Sequence, residues 1–175
     1  TAAHRPARGA MALCKKEGMA TMFFDTSALA DGEIALQLVE TVEANPEKRW
    51  APAYRFAIRR SADGALVGRC DFRVGHTERL YFGGNIGYAV DEPYRGNHYA
   101  GKACRLLLGL ARQHGMDYLY ITCSPHNAAS RRTCEYAGGK LQSTIPLPTD
   151  NDLFLTGEWQ ICLYYFDLSE AAGGP

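Results

Sequence analysis

One ten-residue stretch constrains the chain more than any other: Tyr94-Arg95-Gly96-Asn97-His98-Tyr99-Ala100-Gly101-Lys102-Ala103. A short apolar strand pattern, Ile86-Gly87-Tyr88-Ala89-Val90, precedes it, and a strongly amphipathic helix pattern follows. Strand, small-residue loop and helix start together make an anion-binding device. Small residues let the backbone approach a phosphate, and the free N–H groups of a first helical turn point at it. Arg95, Lys102 and Arg105 add positive charge. Cations in a first helical turn oppose the macrodipole, and a bound anion there would relieve that cost. The competing reading is a solvated basic helix start.

Gly96 to Lys102 also fits the first seven positions of G-x-x-x-x-G-K-[ST], the nucleotide-binding loop. The eighth position is Ala103, which has no hydroxyl for Mg²⁺. The next strand pattern, Tyr118 to Cys123, runs into Ser124-Pro125 without a metal-binding carboxylate. Nucleotide hydrolysis is therefore disfavoured.

The same residues resemble the [Q/R]-x-x-G-x-[G/A] segment of the GNAT acetyltransferases, here Arg95-x-x-His98-x-Ala100 with His98 in place of the middle glycine. The likeness extends over roughly residues 53 to 142. Asn85-Ile86-Gly87-Tyr88-Ala89-Val90 is similar to that family's fourth strand. Asn127-Ala128-Ala129-Ser130, followed by Gly138-Gly139, is similar to its later helix. The wording is nearest to the branch that acetylates ribosomal-protein N-termini.

The resemblance implies acetyl-CoA as co-substrate and transfer of acetyl to a primary amine by direct attack in a ternary complex. It places pantetheine against the backbone near Ala89 and Val90. It places the pyrophosphate on Arg95, Gly96, Asn97, His98, Tyr99, Ala100, Gly101 and Lys102, with Asn127 and Ser130 nearby. Many members carry a basic Glu at the start of the fourth strand. That position is Asn85, which takes no proton at neutral pH. Many carry a Tyr acid seven residues after the helix-starting Asn, and that position is Cys134. A Cys pKa of about 8.5 would suit the acid role, and a small packing residue is the other reading. Glu78, Asp91 and Glu92 are alternative bases, or simply exposed charges. An α-amine near pKa 8 loses its proton more readily than a lysine near 10.4, so a site without an obvious base favours the former. The rival functions are transfer of another acyl group such as succinyl, and a non-catalytic CoA-binding or sensor module.

The 175 residues suggest one domain, and 46% apolar content can build a full core. Zero net charge argues against general nucleic-acid binding. Six scattered cysteines without C-x-x-C argue against a metal site and suit a cytoplasmic location. No stretch could span a bilayer as a helix. Expected partners are a small-molecule amine or a protein N-terminal amine, with a homodimer compatible.

Residues 1 to 18 read as a basic tail: a vector remnant, a processed end or a natural extension. The domain is expected over residues 19 to 170. Within it, Ala20 to Asp25 reads as a first strand, and Ile34, Leu36 and Leu38 lean to strand. Tyr54 to Ile58 and Leu66 to Val74 alternate as a hairpin about Ser61-Ala62-Asp63-Gly64. Gly75 to Gly84 and Pro146 to Thr156 read as loops. Ala103, Leu106, Leu107, Leu110, Ala111 and His114 form one helix face that ends at Gly115. Asn127 caps a helix over 128–137, and Lys140 to Ile145 with Glu158 to Leu168 close the fold as a strand pair. The expectation is a mixed α/β (α+β) domain. Its twisted, mostly antiparallel sheet carries helices on both faces, and the resemblance implies strands that splay at the cofactor site.

Overall fold

The computed structural model describes residues 21–169. The basic segment 1–18 and the end of the chain lie outside them. Among the described residues, seven strands and four α-helices follow in the order β1 (Ile34–Val42), β2 (Ala53–Arg60), β3 (Leu66–Arg73), α1 (Glu78–Gly83), β4 (Ile86–Val90), α2 (Tyr99–Gln113), β5 (Tyr118–Cys123), α3 (Ala128–Tyr136), β6 (Lys140–Pro146), α4 (Asp152–Leu155) and β7 (Gln160–Asp167). Four strands form one antiparallel sheet, β1-β2-β3-β4, and three form another, β5-β7-β6.

Alternation decides what each strand buries. Tyr54, Phe56 and Ile58 of β2 point into the core, as do Cys70 and Phe72 of β3. Arg55, Arg69 and Asp71 take the opposite face with more solvent. Helix α2 covers the core with Ala103, Leu107, Leu110 and Ala111, all essentially inaccessible to water. Each such leucine contributes about 1.5–3 kcal/mol of burial. Gly115, at φ +74°, ends the helix in the left-handed conformation that glycine adopts without strain. Helix α1 lies on the other face, where Thr122 Oγ1 of β5 donates to the Phe82 carbonyl (2.9 Å).

Three expectations are corrected. Residues 21–26 form no strand, because Phe24 N–H donates to the Tyr54 hydroxyl (2.8 Å) rather than to a ladder. The Phe23 ring meets Tyr54 and the Phe24 ring meets His114, so side chains anchor this segment. Residues 75–84 hold α1, started by Thr77, whose hydroxyl accepts from Leu80 N–H (3.2 Å). Residues 146–156 hold α4, started by Asn151, whose side chain accepts from Leu153 N–H (2.9 Å). Both helices are too short to show a periodic pattern, and only their caps betray them.

The two sheets meet at β4 and β5. Asn85 N–H donates to the Tyr120 carbonyl (2.7 Å), and Tyr120 N–H donates to Asn85 Oδ1 (3.0 Å). Beyond this stitch the two strands share no ladder and open into a cleft.

Candidate active site

The cleft holds about 530 Å³. Its walls are the end of β4 (Tyr88, Ala89, Val90), the loop into α2, and the first two turns of α3. Of the expected cofactor residues, Ala89, Val90, Arg95, Gly96, His98, Tyr99, Ala100, Asn127 and Ser130 line it together.

The loop is open toward the cleft for a backbone reason. Helix α2 begins at Tyr99 with His98 as its cap, and no side chain accepts from its first turn. The first bond of the helical ladder is Lys102 N–H to the His98 carbonyl (2.9 Å). Among the described residues, the N–H groups from Gly96 through Gly101 meet no protein acceptor. No acid sits in the first turn to offset the dipole. These donors need water or an anion.

His98 takes the left-handed conformation (φ 60°, ψ 22°), which is costly for a residue with a Cβ. Its ring stacks on Tyr136 of α3 at 4.4 Å and nearly parallel, which offsets part of that cost. The Arg105 guanidinium also lies over the Tyr136 ring, 4.1 Å from its centroid, and donates to the Tyr136 carbonyl (2.6 Å). Gly101 leaves room for the same ring, since a Cβ there would collide with it. Tyr136 thus ties α3 to the start of α2 and holds the two walls of the cleft together.

Several expected contacts lie elsewhere. Lys102 turns away from the cleft toward Glu33 (3.5 Å) and Asp31 (3.7 Å). It neutralises two local carboxylates rather than facing an anion in the loop. Asn97 donates to the Tyr94 carbonyl (2.9 Å) and shapes the turn. Gly101 serves packing, as described. The cation that sequence reasoning missed is Arg132, which faces Arg95 across the cleft from α3. A helix interior offers no motif for such a residue; only the docking of α3 places it there.

Asn127 caps α3, its Oδ1 accepting from Ser130 N–H (3.0 Å). Asn85 is 1% exposed, and its amide is fully used. Beyond its bond with Tyr120, the Nδ2 group donates to the carbonyls of Arg73 (3.0 Å) and Gly75 (2.8 Å). It is the joint of the splay.

Cys134 is fully buried and has no opening onto the cleft. A hydrogen bond with Cys123, together with burial, pushes its thiol pKa well up, and the same contact pulls that of Cys123 down. In front of it stands Tyr88 of β4. The Tyr88 hydroxyl lies 2.6 Å from Ser130 Oγ, 3.3 Å from the Ser130 carbonyl and 3.7 Å from Cys134 Sγ. Burial, with Cys134 beside it, raises the phenol's pKa, so it remains protonated. A hydroxyl absent from position 134 is therefore present in the cleft wall, supplied by a different element. Sequence reasoning missed it because Tyr88 alternates with glycine and alanine like any strand aromatic.

Among the described residues, no three His, Cys, Asp or Glu side chains gather as a metal site. None of their helices is long and apolar enough to cross a membrane.

Comparison with known proteins agrees with this arrangement. No curated protein matches the chain in sequence. Solved structures do match the fold. An acetyltransferase (GNAT family) from Bacillus anthracis is 20% identical, with 66% of this chain and 67% of that one covered at a TM-score of 0.53. The microcin C7 self-immunity acetyltransferase, solved in complex with acetyl-CoA and AMP, is 17% identical, covering 66% and 61% at 0.53. The ribosomal-protein-S5-alanine acetyltransferase from Vibrio fischeri is 15% identical, covering 67% and 63% at 0.54. The chain thus spans 61–67% of the length of these structures. The model of the acetyltransferase (GNAT) domain matches residues 8–140, which include the splay, the amide-lined loop and all of α3. With that match over most of its length, the chain belongs to the GNAT acetyltransferase family.

Proposed function

We propose that the protein is an acyl-CoA-dependent N-acyltransferase that transfers acetyl from acetyl-CoA to a primary amine. The observation that carries this is the run of unanswered N–H groups from Gly96 to Gly101 at the mouth of the β4–β5 splay. Six consecutive donors at a helix N-terminus suit a pyrophosphate, and Arg95 and Arg132 flank them. Ala89 and Val90 offer a strand edge to the pantetheine arm. Family membership and the acetyl-CoA bound in the microcin self-immunity enzyme support the same assignment.

Acetyl-CoA supplies an acyl group already activated as a thioester. The amine nitrogen bonds to the acyl carbon, the carbon–sulfur bond breaks, the amine loses a proton and the leaving thiolate gains one. Direct attack needs no covalent enzyme intermediate, so positioning carries much of the rate. In this reading the Tyr88 hydroxyl donates to the departing sulfur, and Ser130 replenishes its hydrogen bond. Cys134 supports Tyr88 from behind rather than touching substrate. Asn85 acts by position, holding β4 to β5 so that the cleft opens at the right residue. The acceptor is a small-molecule amine or a protein N-terminal amine, and a cytoplasmic location fits such a co-substrate.

Two measurements test the proposal. Isothermal calorimetry should show one acetyl-CoA bound per chain, and a thiol-reactive dye should report CoA release when primary amines are added. Binding without release in any amine would leave a CoA-binding module. No binding would remove the reading altogether.

A further inference from the structure

Helix α1 divides two cavities of opposite character. One side of it, with the β1–β2 connection, β2 and β3, borders a cavity of about 290 Å³ on the face of β4 away from the cofactor cleft. Arg49, Arg55, Arg73 and Arg79 line that cavity, and Asp71 is the only carboxylate among its walls. The other side of α1 borders a recess of about 310 Å³, closed by the start of β4 and by β5. His76, Glu78, Tyr81, Asn85, Tyr118 and Tyr120 line this recess, and among the described residues no lysine or arginine does. It shares no lining residue with the cofactor cleft. Glu78, one of the alternative bases, lies here and not in the cleft.

Local geometry explains the sorting. The Thr77 cap starts α1 at Glu78, so Glu78 and Tyr81, three residues apart, share one side of the helix. Arg79 turns toward the arginine-lined cavity and donates to the Lys48 carbonyl (3.0 Å). On β5, Leu119 and Ile121 are buried in the core, so Tyr118 and Tyr120 take the α1 face.

The rings are held in place. Tyr81 and Tyr120 stand perpendicular, with centroids 5.6 Å apart, and Tyr118 meets Tyr120 edge-on at 5.5 Å. His76 stacks on Tyr118 at 4.0 Å, and its Nε2 donates to the Tyr118 carbonyl (2.8 Å). Tyr165 of β7 packs on Tyr118 from 5.7 Å away. Lys140 lies beyond Tyr165, against a separate pocket. Burial, with the phenols of Tyr118, Tyr81 and Tyr165 around it, raises the pKa of Tyr120, so that wall stays uncharged.

The recess has little hydrogen-bonding capacity to spare. The Asn85 amide is consumed by Tyr120 N–H and by the carbonyls of Arg73 and Gly75. What remains for a ligand is aromatic surface, phenol oxygens and one carboxylate. A primary ammonium carries three donors that want oxygen partners. An ammonium whose charge is spread over methyl groups needs none, and ring faces attract it while a carboxylate balances its charge. We propose that this recess binds a methylated ammonium group, held by the Tyr81 and Tyr120 rings with Glu78 at the rim. The volume suits a small head group. The site is separate from the cofactor cleft, and the inference does not rest on the transferase reading.

The test is titration calorimetry of the full chain with choline, with ethanolamine, and with dimethylbutanol, in which carbon replaces the choline nitrogen. Choline should bind once per chain and about tenfold more tightly than either of the others. Tyr81→Leu should remove most of that advantage, and Glu78→Gln should reduce choline affinity several-fold while leaving dimethylbutanol alone. The denaturation midpoint reports whether Tyr81→Leu is folded. If it is not, Glu78→Gln, an exposed substitution, decides the matter. Equal binding of choline and dimethylbutanol would reduce the recess to an apolar hollow. Ethanolamine binding as tightly as choline would overturn the preference for methyl groups. Choline binding that survives both variants, or none at all, would overturn the site, whatever the outcome with acetyl-CoA.

Discussion

The two faces of β4 are built from different materials. The cleft face presents backbone: the amides from Gly96 to Gly101, at the start of α2, meet no protein acceptor among the described residues. The opposite face presents side chains. Its arginines come from the β1–β2 connection, β2, β3 and α1, and the rigid frame of the sheet brings them together. A backbone site depends on the path of the chain and tolerates changes of side chain, as His98 at a position expected to be glycine illustrates. A side-chain site can be altered one charge at a time without disturbing the fold.

Substitutions on the cofactor face sharpen this contrast. The largest expected effect belongs to Tyr88→Phe, the one side chain on that face assigned to the chemistry. Turnover should fall by about 10²-fold, the lower end for general-acid help, because a thiolate can also leave unassisted. Calorimetry should find acetyl-CoA affinity nearly unchanged, since the contact matters at the transition state. Equal turnover in steady-state CoA release would hand the proton to water.

Charge reversal at the loop comes next. Arg95→Glu should weaken acetyl-CoA binding by roughly 10- to 100-fold, the value of a lost charge-assisted contact. Lys102→Ala, seven residues further on, should leave that affinity alone, because its ammonium faces Asp31 and Glu33. If both variants bind normally, the pyrophosphate lies elsewhere. If Lys102→Ala is the weaker binder, the orientation of its side chain is wrong.

Asn127→Ala should cost about 1 kcal/mol of stability through the lost cap, read from chemical denaturation. An accompanying loss of acetyl-CoA affinity would show that the cap also serves the cleft it lines.

The smallest effect is expected at His98→Gly. Glycine relieves a left-handed backbone at a gain of about 1 kcal/mol. It also gives up the Tyr136 stack, worth about 0.5–1.5 kcal/mol. The two should nearly cancel in the melting temperature. A clear drop would mean that the stack, rather than the amides, holds the loop in shape.

What could be read directly from the residue order was whatever depends on neighbours in the chain. The alternation of Tyr54, Phe56 and Ile58, the apolar stripe of α2, the Asn127 cap and the amide-lined loop are all local, and each was legible as written. The short helices α1 and α4 escaped because fewer than two turns carry no period, leaving only Thr77 and Asn151 as signs.

The destinations of individual side chains were another matter. Position along the chain marked Lys102 as a phosphate ligand, and the packing of α2 against the segment at residues 31–33 turned it away. The family resemblance put Cys134 forward as proton donor or packing residue, and the docking of α3 against β4 buried it behind Tyr88. Arg132 entered the cleft, and Asp71 came to lie over Gly87, only through contacts between elements distant in sequence. Local patterns follow from backbone periodicity and steric preference, which act over a few residues. A side chain's partner depends on which surfaces pack together, and that is decided by burial summed over the whole chain.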